Sequence, residues 1–166
     1  MAAGNTYVAL ATQTLTGNAA TVTFSSISGA YTDLVLIGSA TSSSGAGEIG
    51  IQFNGDTSSN YSSTYIYGNG TAATSGRSTG YTQIYLERNA TVRTTTRPMF
   101  RANIMNYSNT TTYKTVLTRA DSASESVDAV VGLWRSTAAI TSILIDGAGA
   151  TFAIGSTFSL YGIAAA

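Results

Sequence analysis

The chain predicts an all-β protein, an antiparallel two-sheet β-sandwich of jelly-roll type with about ten strands. Three observations predict it. Apolar and β-branched residues recur with period two in short runs. Those runs end at Gly, Asn and Ser rather than continuing into a helical stripe. Seventeen glycines against a single proline supply tight turns without breaking strands.

The runs can be taken in order. Tyr7 to Leu15 alternates and reads as the first strand. Thr21-Val22-Thr23-Phe24 is a second, and Leu34-Val35-Leu36-Ile37 a third, continuously apolar as in a strand covered on both faces. Ile49, Ile51 and Phe53 alternate up to the turn signal Asn54-Gly55. Tyr65, Ile66 and Tyr67 precede a second turn at Gly68-Asn69-Gly70. The same reasoning marks Tyr81 to Leu86, Phe100 to Tyr107, Tyr113 to Arg119, Ala129 to Arg135, Ile140 to Ile145 and Thr157 to Ile163. Pro98 stands where a strand begins, where a missing amide proton does least harm. Ser42 to Gly47 and Thr71 to Gly80 read as surface loops, and Ser122 to Asp128 as a brief helical turn. No composition shift marks a boundary, so residues 1–166 are expected to form one domain, with 1–5 a flexible arm.

Composition narrows the chemistry. The chain has no histidine and no cysteine, which removes the usual proton shuttle and the usual zinc ligands. Serine and threonine fill 48 of 166 positions, charged residues only 10%, and eight acids cancel eight bases. A neutral surface gains little protection from self-repulsion, so association with copies or partners is expected. The same neutrality disfavours nucleic acid, which is captured by clustered cations, and no apolar run approaches the ~20 residues of a bilayer span. Asn54, Asp56, Ser58 and Asn60 alternate like the start of a calcium loop. The twelfth position is Tyr65 instead of the closing acid, so a turn explains the run better. No catalytic, cofactor-binding or metal-binding residue is assigned, and a non-enzymatic protein is expected.

Two residue groups remain as candidate contact sites. Seven of the eight bases are arginine, and Arg88, Arg93, Arg97 and Arg101 fall within fourteen positions. Arginine is enriched at interfaces because its fork binds carboxylates and its plane stacks on rings. With the lone Trp134 these four form the candidate interface. Tyr61, Tyr65, Tyr67, Tyr81 and Tyr85 concentrate in the middle third and form an alternative candidate, a glycan-stacking platform.

Several phrases carry a family resemblance. Tyr31-Thr32-Asp33-Leu34-Val35-Leu36, Gln52-Phe53-Asn54-Gly55-Asp56 with Asn60-Tyr61, and Tyr67-Gly68-Asn69-Gly70 resemble small virion structural proteins of tailed bacteriophages, notably those of aquatic and cyanobacterial hosts. Met105-Asn106-Tyr107-Ser108, Gly132-Leu133-Trp134-Arg135-Ser136-Thr137 and Gly155-Ser156-Thr157-Phe158-Ser159-Leu160-Tyr161-Gly162-Ile163 extend the likeness over nearly the whole chain. The resemblance implies a virion protein assembled in the host cytoplasm, without catalytic residues. It implies a head decoration or cement protein, a homotrimer bound to the major capsid protein. The alternative is a tail-fibre module that recognises host surface glycans. A short chain that starts at its first strand and lacks heptads or triplet repeats favours decoration.

Overall fold

The structure, a computed structural model, describes residues 6–89 and 91–164, so the arm expected at 1–5 lies outside the described residues. The described residues form fourteen strands and no helix. The first seven are β1 (Tyr7–Thr14), β2 (Thr21–Phe24), β3 (Asp33–Ser39), β4 (Ser42–Ser44), β5 (Gly50–Phe53), β6 (Tyr61–Gly68) and β7 (Ala73–Tyr81). The rest are β8 (Ile84–Tyr85), β9 (Met99–Met105), β10 (Lys114–Ser122), β11 (Ser126–Trp134), β12 (Ile143–Asp146), β13 (Thr151–Phe152) and β14 (Thr157–Ile163).

Eight strands make the rolled core, and they nest from the outside inward. β1 pairs with β14, β2 with β12, β3 with β9, and β5 with β8, all antiparallel. A long antiparallel hairpin folded over on itself gives that nesting. The closing pairs β14–β3 and β12–β5 then complete two four-stranded arrays, β1-β14-β3-β9 and β2-β12-β5-β8. This is the winding of a jelly roll. Two hairpins are inserted into it, β6–β7 after β5 and β10–β11 after β9. Both add to the first array, which becomes an eight-stranded sheet in the order β1-β14-β3-β9-β10-β11-β6-β7. β13 and β4 form a separate pair.

The core lies between the large and small sheets. Leu34, Leu36, Phe100, Ala102, Val116, Phe158 and Leu160 come from the large sheet, and Val22, Phe24, Ile51, Phe53, Ile143 and Ile145 from the small one. Phe53, Tyr61 and Trp134 pack as one aromatic cluster, with ring centroids 5.4–6.4 Å apart. Small residues set the sheet separation. A Cβ on Gly132 in β11 would lie 2.4 Å from Ile84 Cγ2 in β8, so its absence lets β8 seat against the large sheet. The Asn54-Gly55 turn has φ of 54° and 69°, and Asp56 N donates to Phe53 O at 2.9 Å. Asn and Gly tolerate that left-handed pair best, so the turn signal serves to pass the chain from one sheet to the other.

The structure corrects the sequence reading in four places. Fourteen strands replace about ten. Thr71 to Gly80 is mostly β7, and the start of the Ser42–Gly47 stretch is β4. Ser122 to Asp128 is the tip of the β10–β11 hairpin, with Ser122 opposite Ser126, and forms no helical turn. The expected strand Tyr81 to Leu86 is split, because the chain leaves the large sheet at Tyr81 and enters the small one at Ile84.

Candidate functional site: an open sheet face beside a tyrosine ladder

Alternation along the inserted hairpins sends Val116, Thr118, Ala120, Asp128 and Val130 inward and Leu117, Arg119, Asp121, Val127, Ala129 and Val131 outward. The small sheet has four strands and covers one face of an eight-stranded sheet. Among the described residues nothing covers the other face where these hairpins lie. Register places its residues in rows across the strands. One row reads Asn103, Leu117, Val131, Thr64, Arg77. The next reads Arg101, Arg119, Ala129, Ile66, Ser75, and the one after it Met99, Asp121, Val127, Gly68, Ala73. Ile66 is 60% exposed, Val127 55%, Met99 51%, Val131 48% and Leu117 42%. Contiguous apolar exposure of that kind marks a contact surface. Shallow hollows pit this face. One of these, about 400 Å³, is lined by Ile66, Gly68, Ala73, Arg119, Val127 and Ala129.

On the opposite side, beyond the small sheet's last strand β8, four of the five expected tyrosines and one arginine form a ladder. Tyr67 stacks on Tyr65 at 6.4 Å and 16°, made possible by Gly76, whose missing Cβ would lie 2.5 Å from the Tyr65 hydroxyl. The Arg88 guanidinium lies 4.8 Å from the Tyr65 centroid and 5.2 Å from that of Tyr85. Tyr85 meets Tyr81 edge-on at 5.7 Å. Glu48 Oε2 holds Arg88 in place at 3.2 Å.

The remaining expected site residues separate. Tyr61 is fully buried, so it is a core residue and no part of a glycan platform. Its hydroxyl donates to Asp56 O at 3.0 Å and accepts from Phe53 N at 3.1 Å, and burial pushes its pKa up to about 12. Trp134 is likewise buried, which removes it from the candidate interface, and its Nε1 donates to Asp56 Oδ2 at 2.7 Å. The four arginines do not form one patch. Arg93 pairs with Glu125 at 2.8 Å, and Arg97 Nη1 donates to Ser39 O and Gly155 O. Of the four, only Arg101 lies on the open face, where it donates to Asn103 Oδ1 at 3.1 Å and to the Tyr7 hydroxyl at 2.7 Å.

The turn read from the Asn54–Asn60 run is present, whereas the buried polar groups Asp128, Glu87 and Lys114 were the residues sequence reading missed. The Asn54–Asn60 run is a knot of turns. Asn54 Oδ1 accepts from Thr141 N and Ser142 N, while Asp56 accepts from Ser58 N, Asn60 Nδ2 and Trp134 Nε1. Desolvation works against the charge on Asp56, yet these hydrogen bonds outweigh it and draw its pKa down to about 2. Asp128 is buried at the foot of the ladder and gathers Arg88 N, Asn89 N and Ser126 Oγ. Glu87 is buried with Oε1 accepting from Ile49 N at 3.0 Å. Desolvation, with Asp128 and Glu48 nearby, pushes its pKa well up. These carboxylates fasten loops to the sheets. Lys114, the lone lysine, is buried too, and its Nζ donates to Thr112 O and Thr137 O. Neither a scan of protein-family models nor a search of curated proteins finds a match to the chain.

Proposed function

We propose that this protein is a non-enzymatic structural subunit of a tailed-bacteriophage virion. In this reading it is a head decoration or cement protein that adheres to the capsid surface as a homo-oligomer. The observation that carries the adhesive reading is the uncovered face of the large sheet, where Ile66, Leu117, Val127, Val131 and Met99 lie in adjoining rows. A chain with zero net charge has no electrostatic means of keeping such a face apart from other surfaces. The virion assignment rests on the phrase resemblance. Its motifs fall in turns and core strands, such as the Asn54-Gly55 turn and the Gly132–Arg135 end of β11. They therefore speak for a shared scaffold and leave loops free to vary.

Counting copies in purified particles tests the reading. Decoration predicts a copy number comparable to the major shell protein. Absence from the particle overturns it. A second reading, a tail module that binds host glycans, draws on the tyrosine ladder, since stacked rings with polar tips suit sugar faces. It predicts a handful of copies per particle, and binding on an array of host polysaccharides that Tyr65→Ala or Tyr67→Ala weakens.

A further inference from the structure

Two adjacent rows of the open face have a property that their neighbours lack. Across β9, β10, β11, β6 and β7, one reads Arg101, Arg119, Ala129, Ile66, Ser75 and the other Met99, Asp121, Val127, Gly68, Ala73. Strand by strand, positive stands beside negative on β10, and small beside large on β11 and β6. Arg119 and Asp121 are both exposed, and among the described residues neither makes an ion pair or hydrogen bond within the chain. Arg119 also sits directly opposite Arg101, an alignment of like charges that costs stability until a carboxylate approaches from outside.

We infer that these two rows pair with the same rows of a second copy, face to face about a two-fold axis. The axis runs along the rows between them and crosses β10 at Ala120, β11 at Asp128 and β6 at Tyr67, residues that the register aligns. Rotation about it lays each strand over its own equivalent and exchanges the rows. Arg119 then faces Asp121 of the second copy, and Asp121 faces its Arg119. Val127 enters the space over Ala129, and Ile66 the space over Gly68, where the 400 Å³ hollow lies. Arg101 covers Met99, its aliphatic stem on the thioether. On β10 the juxtaposed side chains are opposite in charge, and on β11 and β6 they are complementary in size, as an isologous contact requires.

The contact is small, because the strands end one or two residues beyond the axis. Five strands ~4.8 Å apart, overlapping for roughly 14 Å along their length, bring roughly 340 Å² of each copy together. The total of about 700 Å² is that of a weak, reversible pairing. The inference deepens the homo-oligomer part of the proposed function and replaces three-fold with two-fold contact. It does not depend on which particle the protein decorates.

Sedimentation velocity from low-micromolar to several-hundred-micromolar protein tests it. The wild type should pass from monomer to dimer. Asp121→Arg sets arginine against arginine and should weaken dimerisation about tenfold or more. The double variant Arg119→Asp with Asp121→Arg exchanges the charges and should restore affinity to near wild type. All of these positions are exposed, so thermal unfolding should show each variant folded. Gly68→Val closes the hollow to the incoming Ile66 and should also abolish the dimer. A wild type that stays monomeric overturns the pairing. So does a trimer, or a double variant as weak as Asp121→Arg. None of those results bears on copy number in the particle, which tests the function separately.

Discussion

Asp56, half-exposed, and Glu87, buried, show opposite fates for a carboxylate. Three N–H donors, from Ser58, Asn60 and Trp134, converge on Asp56, so its charge is favoured and its pKa falls to about 2. A group whose folded pKa is depressed contributes stability above its unfolded value, near 3.8, and loses it as pH falls through about 2. The fluorescence of Trp134 should therefore follow an acid transition below pH 3, which Asp56→Asn removes. Asp56→Ala should cost on the order of 1–3 kcal/mol in urea unfolding, because the Trp134 Nε1 donor loses its acceptor. Glu87 Oε1 accepts from Ile49 N, the Val92 amide lies close by, and among the described residues its second oxygen has no hydrogen-bond partner. Desolvation raises its pKa, so its ionisation weakens the fold as pH rises above the unfolded value of 4.5. Glu87→Gln should match wild-type stability near pH 4 and exceed it at pH 8. Equal melting temperatures for the two proteins at both pH values would contradict that assignment.

At the scale of elements, legibility depended on how many neighbours each strand has. β3 lies inside the large sheet, so its apolar run Leu34-Val35-Leu36 announces it. β7 is an edge strand exposed along most of its length, and its sequence ATSGRSTGY needs no apolar phase. Only pairing with β6 makes it a strand. The stretch Ser122 to Asp128, read as a brief helical turn, carries too few apolar residues to show a strand period. Yet Ser126 and Asp128 are buried, satisfied by each other and by the 88–89 amides, which no local pattern reveals. Tyr61 and Trp134 resembled surface aromatics for a related reason: an amphipathic ring suits core and rim equally. The open face did leave a trace. From Val127 to Leu133 the outward phase, Val127, Ala129, Val131 and Leu133, is apolar throughout, the mark of a face that meets another surface rather than water. Gly132 belongs to the inward phase, where it admits Ile84. Gly132→Ala forces that side chain away and should destabilise the fold by about 1–3 kcal/mol without changing self-association. Denaturant unfolding with sedimentation of the same sample checks both halves.

The whole molecule is a jelly roll made asymmetric by two insertions that widen one sheet and leave the other at four strands. That asymmetry enlarges the outer face of one sheet, and this wide face is the surface proposed for contact between copies. The chain carries its own reporters of that contact. Met99 sits in the paired rows, while Met105 lies on the same face six residues along β9, beyond the expected overlap, and the two are 51% and 43% exposed. Peroxide oxidation of each, followed by peptide mass spectrometry over a protein dilution series, measures their accessibility directly. Met99 should become protected as concentration rises through the dimerisation range while Met105 reacts at a constant rate. Equal rates for Met99 at every concentration would contradict the pairing.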